Sequence, residues 1–270
     1  MKALTTTTRV FYGALLFSGL AMAEPAIPSF VQDGRLNVCT TGDFPPLTFI
    51  ENAADQRPKG IDIDIIDAMA KQWGAQVRFL TSSFEGVLPS LQSGKCSLAI
   101  SGIYINDERQ KVYSAVPYLM TSPAIVTAST DTTIQKPEDL SGKSVSVEAG
   151  SSNLKLLVKL NEQFIASNLP PISISSYPTQ VASTQQVLGG RVNATITETA
   201  EAGVRIKQSQ GHLKLAFAFP SEANYGIYFQ KNPEDKQAVQ EGLNKIKADG
   251  TLSTIAKKYN IAESDFDIKP

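Results

Sequence analysis

Apolar and polar positions change period repeatedly along this chain, and the changes predict an alternation of strands and helices. RLNVCTT (35–41) is a buried strand by its apolar run, ended by the turn signal GDFPP. In GIDIDIIDAMAKQWGA (60–75), Ile65, Ile66, Met69 and Trp73 recur at helical spacing, with Gly74 placed to end the helix. QVRFL (76–80) is a second strand. FEGVLPSLQSG (84–94) makes a short helix through Val87, Leu88 and Leu91, and CSLAISG (96–102) a third strand.

The same unit recurs later. The stretch 139–160 predicts a strand from Ser144 to Glu148, a tight AGSS turn, and a helix packed through Leu154, Leu157, Val158 and Leu160. TQVASTQQVLGG (179–190) is a helix closed by Gly189 and Gly190, feeding the strand RVNATIT. ANYGIYFQKN is a further strand. The stretch 235–261 is a helix pair with Val239, Leu243, Ile246, Leu252, Ile255 and Ala256 as its apolar face. Repeated strand, helix, strand crossovers favour parallel strands whose carboxyl ends gather on one edge, where open α/β sheets bind ligands.

Composition adds limits. At 270 residues, 42% hydrophobic and 19% charged, the chain is long enough for two globular lobes. Its start has Lys2 and Arg9, an apolar run from Val10 to Leu20, and Ala21-Met22-Ala23, the pattern of a secretory signal cut after Ala23. That run is shorter than the roughly 20 residues a spanning helix needs. Without Lys2 and Arg9, 23 basic residues face 26 acidic ones, a formal charge of −3 that gives no nucleic-acid surface. His212 and the scattered acids make no metal-ligand spacing, and no cofactor is expected. Cys39 and Cys96 are either bonded in an oxidising compartment or free and buried. The second is expected, because parallel strands would hold one sulfur near a strand end and the other near a strand start.

Candidate chemistry centres on Arg109. With Asn106 as N-cap it falls in a first helical turn, where the dipole favours anions and a cation is out of place. Either it pairs locally with Asp107 or Glu108, or it holds a carboxylate, for which a planar guanidinium is the best partner. Gly150, Ser151 and Ser152 join a strand to a helix, so N–H groups and hydroxyls converge on an anion-sized spot, or serine simply caps the helix. Phe44, among prolines, is an awkward place for a core residue and a good one for a ligand cover. Phe84 is a cover or a hydrophobic staple. Glu148 and Glu198 end strands; if both, with Asp43, faced one arginine, the pocket would favour a ligand carrying extra positive charge.

TTGDFPPLTF, KGIDIDIIDAMA, the long block from Ser83 to Tyr118, GSSNLKL and IKADGTLSTIAKKYN resemble successive blocks of the family 3 solute-binding proteins, the periplasmic receptors of amino-acid ABC transporters. The resemblance implies a two-lobed, type II periplasmic-binding α/β fold, each lobe a mostly parallel sheet flanked by helices. Lobe 1 is expected over 24–118 and 226–270 and lobe 2 over 119–225, with hinge crossings near 117–122 and 219–226. It further implies a monomer in the periplasm that binds an amino acid or related zwitterion and delivers it to an inner-membrane permease. Arg109 matches the arginine that grips the ligand carboxylate, and Ser101 and Gly102 the strand end beside it. Phe44 and Phe84 match the covering residues, Ser151 and Ser152 the hydroxyl pair. Glu198 matches the ammonium acceptor, a position usually held by Asp.

TTGD, SGIYINDERQ and TETAEA also resemble cyclohexadienyl dehydratase, an enzyme on the same fold, with Glu201 at the place of its general acid. Glu148 stands where that enzyme has an asparagine, and an added acid would repel a dicarboxylate. The segment after VPYL is also shorter and lacks its lysine. A receptor is therefore expected rather than an enzyme. A ligand-sensing input to a membrane signalling protein is the remaining alternative.

Overall fold

The computed structural model describes residues 26–52, 54–220 and 223–268; the expected signal segment lies outside the described residues. The first stretch of chain forms β1 (Arg35–Thr40), β2 (Asp43–Phe44), β3 (Thr48–Phe49), α1 (Ile61–Gln72), β4 (Gln76–Thr81), α2 (Phe84–Gln92), β5 (Leu98–Ala99), α3 (Asp107–Val112) and β6 (Tyr113–Thr121). The second forms β7 (Pro123–Ala128), β8 (Ser144–Glu148), α4 (Ser152–Ala166), β9 (Ser173–Tyr177), α5 (Gln180–Leu188), β10 (Ala194–Glu198), α6 (Thr199–Gln208) and β11 (Leu213–Ala218). The chain then returns through β12 (Ala223–Gln230), α7 (Pro233–Ala248) and α8 (Thr251–Tyr259).

Two five-stranded sheets result, ordered β4-β1-β5-β12-β6 and β11-β7-β10-β8-β9. In each, three strands are parallel: β1 lies between β4 and β5, and β8 between β9 and β10. The first of three crossover-linked strands thus occupies the middle both times, the recurrence expected from the pattern. Beside each parallel trio runs an antiparallel strand, β12 next to β5 and β7 next to β10. The chain passes from β6 to β7 and from β11 to β12, so it crosses between the sheets twice.

Each sheet carries its own core. Leu36, Ile65, Met69 and Trp73 pack with Tyr225, Phe229, Val239 and Ile246 around the first. Ile125, Val145, Val147, Leu157, Phe164 and Ile196 pack around the second. In α4 the buried stripe runs through Asn153, Leu157 and Phe164, with Leu154 and Leu160 partly buried. Val158, expected in that stripe, is exposed, because one residue past Leu157 is about 100° further round the helix.

The cysteines correct the expectation of free thiols: Cys39 and Cys96 form a disulfide, with Cα atoms 5.7 Å apart. β5 is only Leu98–Ala99, and the chain before it bends at Ser97, whose N–H donates to the Asn37 carbonyl. The bend carries Cys96 back over β1, a course that an extended strand starting at Cys96 could not take. Among the described residues no helix is long and apolar enough to cross a membrane.

Candidate functional site

The carboxyl ends of β1, β4 and β5 lead into Phe44, Phe84 and the pair Ser101-Gly102. Ser101 ties two of these ends together: its Oγ accepts the Thr41 N–H at 3.1 Å and donates to the Thr41 hydroxyl at 3.0 Å. Gly102 has φ +57°, and a Cβ there would lie 2.8 Å from Leu47 Cδ1 and 3.0 Å from Phe44 Cε1, so only glycine fits. Its N–H donates to Asp62 Oδ2 at 3.0 Å, while the Tyr118 hydroxyl donates to Asp62 Oδ1 at 2.6 Å. Burial pushes Asp62 up to about 7, against the pull of both bonds.

Asn106 caps α3, its side chain accepting the Arg109 N–H at 3.0 Å. The Arg109 guanidinium turns toward the other sheet. Nη1 donates to Tyr104 O at 2.8 Å and Ser152 Oγ at 3.5 Å, Nη2 to Gly150 O at 3.3 Å, and the group lies 5.8 Å from the centre of the Phe84 ring. The local pairing with Glu108 does not form; Glu108 instead joins Lys155 across the seam. Among the described residues Arg109 has no ion-pair partner, and burial lowers its pKa.

The facing half comes from the carboxyl ends of β8 and β10. Ser151 caps α4, accepting the Leu154 N–H at 3.2 Å and donating to Glu148 O at 2.7 Å. Gly150, at φ +72°, brings this turn so close to α2 that a Cβ would lie 2.7 Å from Glu85 Cγ. Glu198 is 5% exposed; Oε1 accepts from Asn153 Nδ2 at 2.9 Å and Oε2 from the Thr197 hydroxyl at 3.4 Å. Burial and then the neighbouring Glu201 push Glu198 up to about 8. Glu148 accepts one bond, from the Gln180 N–H at 3.2 Å, and is pushed well above the usual carboxylate range by burial, then by Asp43 and Glu198.

Glu201 is 0% exposed, with Oε1 on Arg205 Nε at 2.5 Å and Oε2 on the Thr197 hydroxyl at 2.9 Å. Arg205 also donates to the Asp43 carbonyl at 2.9 Å, a further contact between the lobes. Burial raises Asp43 as well, partly offset by Thr41 and Arg205.

All the expected site residues except Arg109 line one cavity, joined there by Tyr104. It measures about 10 Å³, room for a single water at most, and side chains bridge the two halves beside it, Arg109 to Gly150, Glu108 to Lys155 and Arg205 to Asp43. Arg109 stands outside it, lining with Phe84 and Gly150 an adjoining groove of about 350 Å³. Phe44 departs from the expectation of a residue unsuited to the core: it is 6% exposed and packed in the first core while also lining the cavity. Glu201 does not line the cavity. Tyr104, Asn153, Arg205 and Asp62 were not singled out from the sequence. Signals existed for three of them: Tyr104 lies two residues past Gly102, Asn153 follows the serine pair, and Arg205 is one helical turn from Glu201. Among the described residues no cluster of His, Cys, Asp and Glu is arranged to hold a metal ion.

Known proteins resemble this chain in sequence and fold. The profile of the bacterial extracellular solute-binding proteins, family 3, matches residues 36–262. The L-cystine-binding protein TcyJ of Escherichia coli K12 is 25% identical over 250 residues, 88% of this chain and 90% of that protein. Cyclohexadienyl dehydratase of Pseudomonas aeruginosa is 28% identical over 248 residues, 88% of each chain. A solved ancestral arginine-binding protein bound to arginine superposes with a TM-score of 0.78 at 31% identity, covering 84% of this chain and 98% of that one.

Proposed function

Since the chain belongs to the bacterial extracellular solute-binding proteins, family 3, we propose that it is a monomeric periplasmic receptor that closes on an amino acid and presents the closed form to an ABC-transporter permease. One observation carries this reading: a cation and an acid from opposite sheets line adjoining cavities that share Phe84, and among the described residues neither has a charged partner of opposite sign. Arg109 is held by carbonyl and hydroxyl oxygens alone, and Glu198 by an amide and a hydroxyl. A zwitterion supplies what both lack, its carboxylate to the guanidinium and its ammonium to Glu198. Ser152 offers a hydroxyl beside it, Ser101, Gly102 and Ser151 line the cavity with polar groups already tied to Thr41, Asp62, Glu148 and Leu154, and Phe44 and Phe84 cover its apolar part.

We assign the hinge to the two crossings, where β6 gives way to β7 near 121–123 and β11 to β12 near 218–223. On this reading the expected limits at 118/119 and 225/226 fall inside β6 and β12, and the lobes become 26–121 with 223–268, and 123–218. Since the closed cavity cannot admit an amino acid, the ligand enters when the lobes part and holds them together when they close. The enzyme alternative is disfavoured because both oxygens of Glu201 are engaged away from the cavity, by Arg205 and Thr197.

The test is a thermal-shift screen of the mature protein against amino acids, alongside incubation with prephenate. A rise in melting temperature with at least one amino acid and no phenylpyruvate is expected. Phenylpyruvate formation that disappears in Glu201→Gln would overturn the receptor reading.

A further inference from the structure

Glu148 is the one acid of the cleft that a bound zwitterion leaves unsatisfied. It is 6% exposed, ends β8, and lines the same cavity as Glu198. Its Oε1 accepts the Gln180 N–H at 3.2 Å; among the described residues its other oxygen accepts no hydrogen bond. The charges acting on it most strongly are Asp43, Glu198 and Glu201, all acidic. Arg205, the nearby cation, is taken by Glu201 and the Asp43 carbonyl.

An ordinary zwitterion would pair its carboxylate with Arg109 and its ammonium with Glu198. Glu148 would then be sealed into the closed cleft beside another carboxylate with one backbone bond. A buried charge with no counter-charge is costly, so Glu148 must either take up a proton or meet a second cation. A ligand bearing a second cationic group supplies that cation, setting Arg109 and the two ligand cations against Glu148, Glu198 and the ligand carboxylate.

We propose that Glu148 is the specificity-determining residue of this cleft, receiving a side-chain ammonium or guanidinium, so that the ligand is an α-amino acid with a cationic side chain. This rests on the amino-acid receptor reading above. A ligand with an acidic side chain is rejected by the same group, and a neutral one binds only with Glu148 protonated.

Arginine and citrulline separate the possibilities, because they share length and shape and differ in side-chain charge. Isothermal titration of the full mature protein should find arginine at least about 30-fold tighter than citrulline, the lower range for losing one partner of a buried charge pair. In Glu148→Gln the ratio should fall to a few-fold at most. Equal affinities in the wild-type protein overturn the proposal without any variant, and so does a ratio unchanged in a folded Glu148→Gln. In both cases amino-acid binding itself stands. Binding of no amino acid at all overturns the proposal together with the receptor reading.

Discussion

At the residue scale, the site is built by burying acids that have few cations to balance them. Glu198 moves from an ordinary 4.5 up to about 8 and Asp62 from 3.8 up to about 7. Each raised carboxyl binds its proton more tightly in the folded chain than in the unfolded one, so its contribution to stability is present at low pH and lost as pH rises through the folded value. The ligand-free protein is therefore expected to lose stability between about pH 4.5 and 8. Denaturant melts at intervals across that range check it, and a rise in stability over the window contradicts it. Ligand affinity should move oppositely. An ammonium needs Glu198 ionised, so binding tightens with pH below about 8, by up to about tenfold per unit. Arg109 and Glu198 are readable from the sequence because each breaks a local rule, one a cation in a first helical turn and the other an acid closing an apolar strand. Asp62 is not readable that way, since an acid in the first turn of a helix is where the dipole favours one.

At the element scale, the disulfide joins β1 to the chain just before β5, the two parallel strands whose ends carry Thr41 and Ser101. Cys39 and Cys96 are 57 residues apart, and closing a loop of that length in the unfolded chain is worth about 4 kcal/mol by the chain-entropy estimate. Cys96→Ala is expected to cost roughly that amount in chemical denaturation, and a loss within error of zero would contradict it. Apart from β9, the strands and helices of both crossovers were legible because their apolar periods are local. The antiparallel strands β6, β7 and β11 and the edge strand β9 were not. β6 and β7 follow one another with no turn cluster between them, and what separates them is the sheet each joins. The pairing of Cys39 with Cys96 depends on a bend at Ser97 that no period records, and Phe44 is drawn into the core by the closeness of Gly102.

At the scale of the whole molecule, each sheet is completed by a strand delivered from across the hinge, β7 to one and β12 to the other. With the hinge proposed at the two crossings, the lobes would move along one path and the facing residues would return to the same positions at each closure. The closed form is already bridged by Arg109 to Gly150 and Ser152, Glu108 to Lys155, and Arg205 to Asp43. An amino acid does not fit a cavity of about 10 Å³ with these bridges in place, so on the proposed reading a ligand replaces some of them with contacts of its own and shifts the balance between parted and closed lobes. On the proposed reading, the Arg109 carboxylate pair is required whatever the side chain of the ligand. Calorimetric titration of an amino acid that stabilises the wild-type protein, repeated on Arg109→Ala, tests this most directly. The account predicts a loss of affinity of about 30-fold or more, the cost of removing one partner of a buried charge pair, with the melting temperature of the ligand-free variant little changed. An affinity equal to that of the wild-type protein would contradict it.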